Sequence, residues 1–164
     1  MALIVGADTY ATLAEARTIA ASRGWLLPAS DSDAEVALRN GADYVDMQEP
    51  RFKGERLNSA QTMAWPRTGA TYCDGREIAD GAYPAELLRA QVAAAAEYGA
   101  GTDVRASTDG RTVASEAVDG AVSVSYFDNG QTGSQITITK AIDALKPLFA
   151  GDYGSPLTFR VLRA

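Results

Sequence analysis

The chain has 164 residues, 46% of them hydrophobic, with 15 bases against 21 acids and no histidine. That length and apolar content build one domain with a real core. The missing histidine excludes the commonest general base, a histidine-activated nucleophile and the commonest metal ligand.

A single cysteine, Cys73, leaves no internal disulfide and fits a reducing compartment. No apolar run nears the roughly 20 residues that a membrane span needs, so no membrane partner is expected. The start, Met1-Ala-Leu-Ile-Val-Gly, has no basic n-region, so no signal peptide is expected either. Net charge is −6, but it is unevenly spread. Residues 1–50 carry 3 bases and 8 acids, residues 51–76 carry 5 bases and 2 acids, and residues 77–164 carry 7 bases and 11 acids. The middle segment is therefore a basic island on an acidic protein, narrower than the footprint of most non-specific nucleic-acid binders.

Thr12-Leu13-Ala14-Glu15 has the form of a capping box, and Leu13, Ala16, Ile19 and Ala20 follow at helical spacing. The pattern predicts a helix over about 12–23, stopped at Gly24. Ser32 with Glu35 predicts a second capped start, and Ala34, Ala37, Leu38, Gly41, Tyr44 and Val45 form one stripe reaching about Met47. Gly41 inside it costs about 1 kcal/mol relative to alanine, which points to a close approach by another helix.

Periodicity fades from Gln48 to Tyr83, where Pro50, Gly54, Pro66, Gly69, Gly75 and Gly81 punctuate the chain. A short helical turn is expected at Ser59–Met63. Pro84 is placed at the first position of a third helix, with Leu87, Leu88, Gln91, Val92, Ala95 and Tyr98 at helical spacing. Beyond Gly101 the period changes to two. Thr112 to Val118 and Val122 to Phe127 read as a hairpin turning at Asp119-Gly120. Thr139 is the expected cap of a last helix carrying Ile142, Leu145, Leu148 and Phe149, with Pro147 in its final turn. Leu157, Phe159 and Val161 alternate into a terminal strand or arm that includes Arg160 and Arg163.

The expected fold is mainly α: a helical bundle over 1–101 with a long 48–83 loop, then a β-hairpin, a short helix and an extended C-terminal arm over 102–164, all in one domain. No catalytic constellation, phosphate-binding glycine loop, cofactor motif or metal-ligand spacing is present in the sequence. Asp31, Asp33 and Glu35 lack the loop glycine and terminal glutamate of an EF-hand and read as helix-start acids.

Arg51, Phe52, Lys53, Arg56, Trp65, Arg67, Tyr72 and Arg76 in the middle segment have two readings. One is a stacking platform with phosphate contacts, or a partner anchor built on Trp65 and the arginines. The other is a core plug by the aromatics, with the arginines paired to the acidic helices. The candidate interface residues are Arg51, Phe52, Lys53, Arg56, Trp65, Arg67, Leu157, Phe159, Arg160, Val161 and Arg163.

Several stretches together resemble a known family. They are Thr9-Tyr10 leading into an Ala/Glu helix, Trp25 before Pro28-Ala-Ser-Asp, and Asp43-Tyr-Val-Asp46. Arg51-Phe-Lys-Gly54 follows, with Gln61-Thr-Met-Ala-Trp-Pro-Arg-Thr-Gly69 and then Ile78 to Pro84 entering an alanine-rich helix. Nearly the whole chain resembles tailed-phage proteins labelled DnaT-like single-stranded-DNA-binding proteins, which are similar to head-to-tail adaptor, or head-completion, proteins of the phage neck. Asp128 to Thr137 departs from the pattern as an insertion-like stretch.

The resemblance implies a structural ring of about twelve copies beneath the portal, in the virion neck, assembled in the host bacterial cytoplasm. The implied partners are the portal protein, neighbouring copies, tail-side neck or tail-terminator proteins, and genomic DNA passing through without sequence-specific binding. The alternative expectation is a single-stranded-DNA-binding replication accessory.

Overall fold

A computed structural model describes residues 3–102, 112–118, 122–127 and 137–150 of the chain. The fold is mainly helical with a small two-stranded antiparallel hairpin, as the sequence pattern predicts.

Helix α1 spans Leu13–Arg23, and its capping box forms: the Glu15 N–H donates to the Thr12 hydroxyl, and the Thr12 N–H donates to the Glu15 carboxylate. Gly24 ends it in the left-handed region at φ 67°, where its N–H meets the carbonyls of Ala20 and Ala21. Helix α2 spans Asp31–Asp46, with Ser30 rather than Ser32 as N-cap. The Ser32 hydroxyl is hydrogen-bonded to that of Ser30, and Arg17 donates to the Ala29 carbonyl and to Asp31. The helix thus starts two residues earlier than the Ser32 cap predicts.

Helix α3 spans Ala85–Gly99, with Pro84 at the N-cap, one position before the expected one. Helix α4 spans Thr139–Leu145 and continues into a 3-10 turn at Lys146–Leu148 that accommodates Pro147. Ile138, not Thr139, takes the cap position, and its N–H donates to the buried Tyr44 hydroxyl at 2.9 Å.

Helix α3 is the centre, with α2, α4 and α1 packed on it. Its buried face is almost all alanine and aliphatic: Leu87, Ala90, Val92, Ala93, Ala94 and Ala95. A Cβ at Gly41 would lie 2.5 Å from the Gln91 carbonyl oxygen and 2.9 Å from the Ala95 nitrogen, so glycine is what lets α2 approach α3. Gln91 sits at the middle of this apolar contact, fully buried. Its Oε1 accepts from the N–H groups of Tyr10 and Ala11, and its Nε2 donates to the Thr9 hydroxyl and the Leu38 carbonyl. One side chain thus ties the N-terminal segment, α2 and α3 together. Leu38, Tyr44, Leu87 and Val92 are buried as their stripes require, whereas Trp25 is only partly buried, covering the α1–α3 cluster from its edge under the Arg23 guanidinium.

By internal contacts the chain forms two compact units, Met1–Thr102 with Ile138–Ala164, and Asp103–Thr137. In the second, β3 (Thr112–Val118) and β4 (Val122–Phe127) pair antiparallel, from Val118 opposite Val122 to Thr112 opposite Phe127. A register shift between Val113 and Ser115 marks a bulge. The Asp119-Gly120 turn lies outside the described residues.

Candidate functional site: the basic loop

The segment from Gln48 to Tyr83 is ordered by short elements of its own. Pro50 shapes a 3-10 turn at Glu49–Arg51, and β1 (Glu55–Arg56) pairs antiparallel with β2 (Arg67–Thr68). Gly54, at φ 73°, faces the Thr68 carbonyl so closely that a Cβ would lie 2.4 Å away. The expected helical turn at Ser59–Met63 is cut short to one hydrogen-bonded turn at Ser59 and Ala60, closed by the Gln61 N–H on the Asn58 carbonyl, after which the Gln61 side-chain amide donates to the carbonyls of Met63 and Pro66.

Trp65, joined to Pro66 by a cis peptide bond, is 1% exposed. Its ring meets Phe52 edge-on, with centroids 5.8 Å apart, and Phe52 lies against Phe149 at 5.6 Å. Among the described residues the indole N–H has no acceptor, and shape and area hold the ring. Beside it the Tyr10 hydroxyl and the Ala64 N–H both donate to Oδ1 of Asp46. Burial pushes the titration of both Tyr10 and Asp46 upward.

The basic side chains are used inside the loop. Arg67, 6% exposed, donates to the carbonyls of Lys53, Gly54 and Ala64 and lies 3.5 Å from Glu49. Arg56 makes a two-pronged contact with Glu49 and reaches the Gln61 carbonyl. The Arg56 hydrogen bonds, followed by the charges of Arg56 and Arg67, overcome partial burial and hold the Glu49 carboxyl below its usual range. Arg51 lies over the Phe149 ring at 3.9 Å and bonds Gln48, while Lys53 donates to the Tyr72 carbonyl. Arg76 pairs with Asp74 and covers Tyr72.

The loop also grips the end of the described chain. Phe52 and Phe149 form an antiparallel bridge, the Lys53 N–H donates to Leu148, the Ala150 N–H to Arg51, and the Cys73 N–H to Pro147.

Of the candidate interface residues, Phe52, Trp65 and Arg67 are buried within the chain and offer a partner no accessible surface. Arg51, Lys53 and Arg56 are partly exposed but already bonded. Leu157, Phe159, Arg160, Val161 and Arg163 lie outside the described residues. Sequence reasoning placed Gln91 on the α3 stripe but did not identify its role, although a lone amide among alanines and leucines was the available signal. Among the described residues no group of acids and cysteine could hold a metal ion, and no helix is long and apolar enough to cross a membrane.

Neither the curated proteins nor the solved structures give a match to the chain. A family model matches it from residue 1 to residue 164, and the protein belongs to the family described as "Putative DnaT-like ssDNA binding protein".

Proposed function

We propose that the chain is a structural adaptor of a tailed-phage neck, acting by protein–protein contact in a ring between portal and tail. The observation that carries this reading is the fate of the basic loop. Phe52 and Trp65 plug the interior, the partly exposed Tyr72 ring is covered by Arg76, and the cations bond carbonyls, a glutamate and ring faces within the same chain. A stacking platform needs exposed rings flanked by cations free to meet phosphates. The net charge of −6 adds long-range repulsion toward any polyanion, which suits a channel that DNA must pass without sticking. The neck assignment itself rests on the resemblance of the Trp-Pro-Arg-Thr-Gly region and its flanks. On this reading the partners are portal, about twelve copies of the chain itself, and tail-side proteins, in the virion.

The family description favours a second reading, a single-stranded-DNA-binding replication accessory, and its words fit that reading better than the first. Strand contact would then have to use a surface other than the Trp65 ring. Incubating the purified chain with portal and imaging the product separates the two. The adaptor reading expects a ring-shaped complex on the portal. Absence of any portal complex, together with stable oligonucleotide binding, would overturn it.

A further inference from the structure

One carboxylate oxygen joins three stretches of the chain. Asp46 is the last residue of α2. Its Oδ1 accepts from the Tyr10 hydroxyl of the N-terminal segment and, at 3.1 Å, from the Ala64 N–H of the turn that carries Trp65. Tyr10, Ala64 and Trp65 are each at most 2% exposed. The Tyr10 backbone is anchored separately, by its N–H on Gln91. The 62–65 turn is tied to its surroundings by the Thr62 hydroxyl on the Ala7 carbonyl and by Arg67 on the Ala64 carbonyl. Asp46 therefore sits where that turn closes against the helical body.

A negative charge is badly placed at this point. The carboxyl stands at the negative end of a 16-residue helix whose last turn holds no base. Asp43 lies three residues before it on α2, and Glu49 follows in the 3-10 turn. From β1 the charge of Arg56 reaches Asp46, but the guanidinium grips Glu49. From the N-terminal segment Asp46 meets the neutral phenol of Tyr10. Burial first, and then Asp43 and Glu49, raise the titration of Asp46, and the hydrogen bonds from Tyr10 and Ala64 oppose this without cancelling it.

We propose that Asp46 is a proton-operated clasp between the end of α2, Tyr10 and the Trp65 turn, tight when its carboxyl is neutral and loosened when it ionises. A neutral carboxyl can carry its proton on Oδ2 and still offer Oδ1 to both donors. Because the folded titration lies above the unfolded one, the stabilisation is fully present below the unfolded value and is lost as pH rises through the folded one. Each pH unit of that displacement makes the ionised clasp about tenfold easier to open than the neutral one. The device belongs to the fold and is the same under either functional reading.

In the full chain the Asp46 carboxyl carbon is titrated by NMR, and exchange of the Ala64 amide is followed over the same pH range after correction for its intrinsic pH dependence. The carboxyl is expected to titrate above the ordinary aspartate value of about 3.9, with Ala64 protection falling as it ionises. Asp46→Asn keeps an acceptor oxygen but cannot ionise, so its Ala64 amide is expected to stay as protected as in the neutral wild type at every pH. Tyr10→Phe removes a hydrogen bond that favours the charged form, so the Asp46 titration is expected to move further up. Titration of wild-type Asp46 at or below about 3.9 would overturn the clasp, whether or not the variants fold. So would an Asp46→Asn chain whose Ala64 protection keeps the wild-type pH dependence or is lost at every pH. A Tyr10→Phe titration that stays in place or moves down would overturn it as well.

Discussion

In the α2–α3 contact the backbones come close because Gly41 and a run of alanines carry almost no side chain. In the 48–83 loop the backbone comes close only at the short β1–β2 pair beside Gly54, and the large side chains of Trp65, Phe52 and Arg67 fill the rest. The helical contact satisfies its backbone polar groups along each helix and needs one added amide, Gln91, where the N-terminal segment joins. The loop has no such repeating pattern, so its carbonyls are satisfied one at a time by arginine and lysine. The comparison explains why a basic island is found on an acidic chain. The cations are there to serve loop carbonyls and Glu49, and the positive charge is a by-product of holding an irregular segment in place.

The largest expected effect breaks the loop side of this comparison. Trp65→Ala removes a ring buried against Phe52 and should destabilise the chain by about 3–5 kcal/mol. Chemical denaturation measures it, and an unchanged midpoint would show that the aromatic plug does not hold the loop.

On the helical side, Gln91→Leu keeps the volume but leaves the N–H groups of Tyr10 and Ala11 without their acceptor. The expected loss is about 2–3 kcal/mol, within the range for stranded buried donors. The N-terminal segment should show faster amide exchange than α2.

A smaller effect separates the two regions by pH. Glu49 titrates below its usual range in the folded chain because Arg56 bonds its charged form. Its contribution is therefore fully present above the unfolded value and is lost as pH falls through the folded one, from about pH 5 downward. Asp46 has the opposite sign: burial raises its titration, so protonation on acidification favours the fold and partly offsets the loss. Glu49→Gln should cost about 1 kcal/mol at neutral pH and flatten the acid limb of the stability curve. If that limb kept its slope, the Arg56–Glu49–Arg67 group would not be what orders β1 against β2.

The two regions also differ in how far they can be read from sequence. The stripe Ala34–Val45, the Thr12 capping box and the alanine face of α3 follow from period and spacing, because a helix writes its contacts into residues three and four apart. Gly41 could be read as a close approach for the same reason. Errors fall at helix starts, where Ser30, Pro84 and Ile138 take the cap; at two of them a distant residue intervenes, Arg17 bonding Ala29 and Asp31 on either side of Ser30 and Tyr44 accepting from Ile138. In the loop the residue types were visible but their partners were not. Nothing local shows that Arg67 turns to the carbonyls of Lys53 and Gly54, or that Phe52 meets Phe149 nearly a hundred residues away. A run of bases among aromatics looks the same whether it faces a nucleic acid or the interior of its own chain.

The central claim is that the basic loop is spent inside the chain. It is tested most directly by titrating the whole protein against a fluorescein-labelled oligothymidine across a range of salt. The account predicts no measurable anisotropy change near about 150 mM salt, and only weak binding when salt is lowered. Micromolar or tighter binding that loses about 0.7 in log–log slope per neutralised phosphate, and that vanishes when Arg51, Lys53 and Arg56 are neutralised in a variant that still folds, would contradict it.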